Sequence, residues 1–190
     1  MSIFLNSMIL CFFLVTSFTS FGLRAAFAEN QSQDLVPAVN EEIRGEFGNW
    51  LQVCEKGSNH CVAVQFALDM QGNKAARFVL ERLSQIPESP ANAIITVFIP
   101  FESSIPVLPS GLSFAIDSND PFTEQFLFCD QLGCTSQFGI TDVGIDLLKK
   151  GANLTIELTD MRRPDSRYIV DLDLDQFTSI YDKLVSKNSG

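Results

Sequence analysis

The chain has 190 residues, with 13 Lys and Arg against 23 Asp and Glu, a formal charge of −10 and a single histidine. That balance excludes nucleic acid as a partner, because neutralising phosphates demands clustered Lys and Arg, and it excludes docking to anionic lipid through broad surface charge. One His and five Cys leave little from which to assemble a catalytic triad or a multi-histidine metal centre.

Met8 to Leu23 carries no charge and is rich in Ile, Leu, Phe and Val, and Ala26-Phe27-Ala28 puts small residues at the two positions a signal peptidase reads. Residues 1–28 are expected to form a secretory signal peptide, cleaved after Ala28 and leaving no transmembrane span in the mature chain. The apolar run approaches the roughly 18–20 residues a membrane helix needs, but Arg24 and the A-x-A site favour cleavage. The leader takes Arg24 and no acidic residue with it, so the mature chain is the more acidic. Its length suits a single domain with a proper core.

Cys11 leaves with the leader, and Cys54, Cys61, Cys129 and Cys134 remain. An even number of cysteines in an exported chain reads as disulfides, since the oxidising compartment lets them persist. The close pairs Cys54/Cys61 and Cys129/Cys134 favour two local bridges. The rival is a four-thiolate zinc site, whose paired ligands usually stand two to four residues apart; the spacing of Cys54 and Cys61 fits that poorly.

Residues 29–46 are polar and acidic without sustained periodicity, which predicts a disordered arm. A β-domain is expected over 47–185. Its first strand runs from about Phe47 to Glu55, turns over Lys56–Asn59, and returns from Cys61 to Leu68 as a stapled hairpin. Ala75 to Gln85 fits a strand by alternation and a helix by its Ala, Leu, Glu and Arg content; the flanking turn and the short length favour a strand. Ile94 to Ile99 is β-branched and aromatic with no charge, so it is expected to be a strand buried on both faces. A Pro-rich loop, Pro100 to Gly111, then leads into the strand Leu112–Asp117. Phe122 to Cys129 and Cys134 to Ile140 should pair as a second stapled hairpin.

Thr141 or Asp142 can cap a short helix from Val143 to Lys150, with Lys149 and Lys150 complementing its dipole and Gly151 at its C′ position. Leu154–Thr159 and Tyr168–Leu174 alternate as strands about the basic turn Met161–Asp165. Gln176 to Leu184 places Phe177, Ile180, Tyr181 and Leu184 at helical spacing. Residues 186–190 are a polar tail. Many short strands with frequent turns point to a β-sandwich with one or two short helices.

Candidate functional residues are few. His60 stands alone in a turn beside a cysteine and is expected to be exposed and without catalytic role. Trp50 is expected in the core beside a bridge, and the phenylalanines with it. Asp171, Asp173 and Asp175 alternate along one strand face and offer hard oxygen ligands. An EF-hand loop would need Gly and Glu where Gln176 and Asp182 stand, so a solvated sheet face is favoured over a metal site. Phe101 lies in the Pro-rich loop with Ile105, Val107 and Leu108, and Arg162 with Arg163 forms the one local basic cluster. These three, Phe101, Arg162 and Arg163, are the candidates for touching a partner. No cofactor or metal is expected.

Trp50, Cys54, Cys61 and Gln65 form the pattern W-x₃-C-x₆-C-x₃-Q. A strand ending at Pro100, the run Leu108-Pro109-Ser110-Gly111-Leu112, Phe126-Leu127-Phe128-Cys129 before Cys134, a short helix and a Leu-Thr-Ile strand follow in order. Together these resemble the invasion-associated locus B family of exported bacterial proteins, over nearly the whole mature chain. The chain departs from that pattern at Gly48-Asn49, before the tryptophan, and at the polar Glu102-Ser103-Ser104. The resemblance implies an immunoglobulin-like β-sandwich with two local disulfides in the periplasm, or outer-membrane-associated, in a Gram-negative bacterium. It implies no catalytic residues and, in some members, a role in entering host cells. The expected function is therefore that of a non-enzymatic envelope protein working through protein–protein contacts with an envelope or host protein. The alternative is a periplasmic ligand- or metal-binding domain using Asp171, Asp173 and Asp175.

Overall fold

A computed structural model describes residues 40–84 and 90–184; the expected signal peptide, most of the expected arm and the tail lie outside them. The described residues form β1 (Glu41–Phe47), β2 (Trp50–Glu55), β3 (Cys61–Asp69), β4 (Lys74–Arg82), β5 (Ala93–Pro100), β6 (Leu112–Ile116), β7 (Phe122–Glu124), β8 (Phe126–Cys129), β9 (Gly133–Ile140), α1 (Asp142–Lys150), β10 (Asn153–Thr159), β11 (Arg167–Asp173) and α2 (Phe177–Lys183). The chain is all-β with two short helices and two disulfides.

The strands make one antiparallel path, β7-β6-β10-β11-β3-β4-β5-β9-β8, with β2 also on β3 and β1 on β2. β3 is the branch point. Its first half, Cys61 to Val64, pairs with β2 and its end, Leu68-Asp69, pairs with β11, while β4 takes the opposite edge. Nine residues extend about 30 Å, enough for two successive partners.

β7 and β8 are neighbours in sequence yet lie at opposite ends of the path, so the chain crosses between the two edges at Gln125. The Ser136 hydroxyl donates to the Gln125 carbonyl at 2.9 Å. The rings of Phe114, Phe122 and Phe138 pack together with centroids 5.1–5.9 Å apart. A strand that switches edges at a corner brings the ends together, and the sheet nearly closes into a barrel-like sandwich. The expected second hairpin is thus shorter than the sequence suggests: Phe122–Glu124 pairs with β6, and only Phe126–Cys129 pairs with β9. The pairing is one continuous path, where the immunoglobulin-like expectation has two separate sheets.

Trp50 is fully buried, edge-on to Phe78 and Phe177 at 5.8 and 5.3 Å. Phe177, Ile180, Tyr181 and Leu184 turn one face of α2 inward, as their spacing predicts. Each such side chain contributes roughly 1.5–3 kcal/mol by leaving water.

Three further expectations change. The arm does not reach Glu46, because Glu41–Phe47 is already a strand on β2, joined to it through Gly48 at φ +59°. β5 alternates between buried and half-buried residues, since one sheet face looks outward. Gly151 closes α1 with extended backbone at φ −74°, so it is not a left-handed cap; a Cβ there would meet the side chain of Ile116 at 2.5 Å.

Candidate functional site

The four cysteines among the described residues are committed to structure. Cys54 bonds Cys61 across β2–β3, and Cys129 bonds Cys134 across β8–β9, each pair directly opposite in register. A zinc site built on these four sulfurs is therefore ruled out. His60 is only partly exposed, because its ring meets Glu81 on β4 at 3.1 Å.

The acidic face does not converge. Val170 and Leu172 point inward and Asp171 outward, as alternation requires. Asp171 accepts from the Thr155 hydroxyl at 2.6 Å. Asp173 accepts from the Asn49 amide at 3.0 Å and the Asp175 N–H at 2.8 Å. Among the described residues no group of three or more His, Cys, Asp or Glu is placed to hold a metal ion. These carboxylates serve as local hydrogen-bond acceptors, and the metal alternative is corrected accordingly.

The loops at the Pro100/Gly133 end come together instead. Asp160, directly after β10, is 1 % exposed. It accepts from the Ile105 N–H at 3.3 Å, the Arg162 N–H at 3.0 Å and the Arg162 Nε at 3.2 Å. Burial alone would push its carboxyl up, but the hydrogen bonds from Arg162 and Ile105, with the Arg162 charge, outweigh that and hold it below the usual carboxylate range. Arg162 Nη2 also donates to the Ser103 carbonyl at 2.7 Å. The Met161 N–H donates to the Ile105 carbonyl at 2.7 Å, and the Val107 N–H to the Thr159 carbonyl at 2.9 Å. Burial, reinforced by the Asp69 charge, pushes the Tyr168 phenol up.

The second stapled hairpin joins the same end, since the Phe101 N–H donates to the Leu132 carbonyl at 2.9 Å. Asp130 holds that hairpin's turn by accepting from the Leu132 and Gly133 N–H groups.

Phe101, Arg162 and Arg163 are thus gathered at one end, with different roles. Phe101 is half-buried. Arg162 is bound to Asp160 and the Ser103 carbonyl, with 44 % of its side chain still exposed. Arg163 is 64 % exposed along its side chain and reaches Asp160 only at 3.8 Å. Apolar side chains of the second stapled hairpin and of the turn after β10 stand in water: Phe128 is 53 % exposed, Leu132 59 % and Met161 60 %.

Asp160, Phe128 and Leu132 escape the sequence reading. The signal for Phe128 is that Phe126-Leu127-Phe128 is apolar without alternation, so a strand with one inward face must leave apolar side chains outside. Asp160 stands two residues before Arg162, a spacing that lets the carboxylate bind both the backbone and the side chain of the arginine.

A family model described as Invasion associated locus B (IalB) protein matches residues 50–185. No curated protein shows a significant sequence match. The fold is similar to that of the crystal structure of invasion associated protein b from Bartonella henselae, with a TM-score of 0.57 and 13 % identity, over 73 % of this chain and 93 % of that one.

Proposed function

Since the chain belongs to the Invasion associated locus B family, we propose that it is a non-enzymatic protein of the Gram-negative envelope that acts by protein–protein contact. Family membership and the two disulfides suggest an exported, invasion-associated bacterial protein. The proposed setting is the periplasm or the outer-membrane surface, with host-cell invasion or attachment as the process served. Among the described residues no helix is long and apolar enough to cross a membrane.

One observation carries the reading. Three loops are cross-linked by the Asp160 hydrogen bonds and the Phe101–Leu132 bond, and on them Leu108, Leu132, Met161 and Arg163 stand in water. Exposed apolar side chains and an arginine on loops held together in this way are what interfaces use. The non-enzymatic reading is supported by the pairing of Cys54 with Cys61 and of Cys129 with Cys134, which leaves none of the four as a thiol nucleophile.

The test is co-purification from envelopes after mild cross-linking, comparing the native chain with Leu132→Asp and Met161→Asp. Both variants are expected to lose the same specific partner while keeping their melting temperature. Unchanged recovery of every partner by both variants would overturn the proposal.

A further inference from the structure

The outward face of β3, β4, β5, β9 and β8 carries one row of residues in register. Phe66 stands opposite Arg77, Arg77 opposite Phe98, Phe98 opposite Thr135 and Thr135 opposite Phe128. Ala76 and Phe78, on either side of Arg77, are buried in the core, so alternation turns Arg77 outward. Phe66, Arg77 and Phe98 are half-buried and Phe128 is exposed. Lys74 Nζ lies 4.8 Å from the centre of the Phe66 ring. Every other arginine among the described residues has an oxygen partner: Glu42 for Arg44, the Leu184 carbonyl for Arg82, Asp160 for Arg162 and Arg163, and Glu157 for Arg167. Arg77 has none among them, and its Nε is buried without a hydrogen-bond partner. Glu81, the carboxylate of β4, meets His60 at 3.1 Å instead.

We propose that Arg77 anchors a carboxylate on an apolar segment of the partner, which lies across this row. The inference rests on the protein-contact reading above and names the partner's chemistry. A buried donor left without an acceptor is destabilising, and a guanidinium grips a carboxylate through two parallel hydrogen bonds. Charge therefore selects an acidic occupant: Lys74 adds a second cation, and the row itself holds no carboxylate. Extent selects a chain segment over a small acid. The row crosses four strand spacings, about 19 Å, with a single guanidinium inside it and an aromatic ring opposite on each side. A small acid such as acetate covers the guanidinium alone. An extended segment with apolar residues beside its Asp or Glu covers the rings as well, and burying them adds to the affinity. The row ends at Phe128, on the same hairpin as Leu132, so it adjoins the loops proposed above as the contact surface.

Two labelled peptides test this on the full exported chain with its disulfides intact. One has Glu at its centre, Val at the second position to either side and Ser elsewhere; the other has Gln in place of Glu. Fluorescence anisotropy should show the Glu peptide binding about tenfold or more tightly than the Gln peptide. Arg77→Gln should make the two equal, and Arg77→Lys should recover only part of the difference, because an ammonium lacks the planar fork. Phe128→Ser should weaken both peptides alike. N-acetylglutamate amide should compete at least about tenfold more weakly than the Glu peptide. Arg77→Gln should keep or raise the melting temperature of the free chain, where an arginine held for structure would lower it. Equal affinity for the two peptides, a preference that survives Arg77→Gln, no binding, or the single residue competing as well as the peptide would overturn the inference. So would a dimer in sedimentation that Arg77→Gln dissociates. Loss of the envelope partner in Leu132→Asp and Met161→Asp with no preference for the Glu peptide would leave the contact reading standing and remove only the Arg77 anchor.

Discussion

The guanidinium of Arg162 closes on the buried carboxylate of Asp160 through Nε at 3.2 Å and Nη2 at 3.1 Å, and the backbone N–H of the same arginine donates to that carboxylate at 3.0 Å. One residue thus binds a single carboxylate twice, and its Nη2 ties the Ser103 loop as well. The arrangement fixes the turn after β10 against the loop after β5. It makes Arg162 a structural residue and leaves Arg163 as the cation facing outward.

Removing the hub should therefore cost stability. Asp160→Ala leaves the Ile105 N–H and the Arg162 guanidinium without their acceptor, at a cost of about 2–3 kcal/mol, since hydrogen bonds to charged groups are the strong ones. For a domain this size that lowers the melting temperature by about 5–10 °C. Arg163→Ala should change stability by less than about 0.5 kcal/mol, as an exposed pair at 3.8 Å contributes little. Thermal unfolding followed by circular dichroism distinguishes the two.

The same carboxylate makes stability acid-sensitive. Its folded pKa lies below the ordinary value. Its contribution is therefore complete above the unfolded pKa of about 4 and is lost as pH falls through the lower folded value. Asp69 is also lowered: burial opposes ionisation, and the side chain and backbone of Asn73 with the N–H groups of Gln71 and Gly72 outweigh it. Urea unfolding across a pH series should show the difference between the native chain and Asp160→Asn shrinking below about pH 4 and constant above it.

The bridges are local and of ordinary strength. Replacing Cys54 and Cys61 together by Ser, or Cys129 and Cys134 together, should cost about 2–2.5 kcal/mol for each pair on the chain-entropy account. Intact mass after alkylation of the exported protein should show no modified cysteine.

Trp50 joins the sheet to α2. Trp50→Ala empties the space between Phe78 and Phe177 and should cost roughly 3–5 kcal/mol. The indole emission of the native chain should be that of a fully buried ring and should shift at the global unfolding transition.

Much of this fold is legible in the sequence because burial and turn chemistry leave local marks. The stapled hairpin of Cys54 and Cys61 and the inward face of α2 follow from spacing, the strand at β4 from its flanking turn and short length, and α1 begins after Thr141 as expected, though no side-chain hydrogen bond caps it. What escapes is non-local. Nothing within Phe122–Cys129 says that Glu124 will pair with Leu112 while Phe126 pairs with Ser136. That division follows from where β6 and β9 lie, not from propensity. The aromatic content of β8 reads as core for the same reason: its edge position is set by strands far away in sequence. At the candidate surface Phe101, Arg162 and Arg163 announce themselves as unusual residues in loops. Asp160 does not, because a lone aspartate at a strand end is ordinary until its burial is known.

The most direct test of the contact surface is site-specific photo-crosslinking in the bacterial envelope. A benzoylphenylalanine is placed at Leu132 or Met161, and at Val143 on α1 as an equally exposed control beyond the far end of β9. The account predicts covalent adducts to one and the same protein from positions 132 and 161 and none from position 143. Adducts of equal yield at all three positions, or none at any, would contradict it.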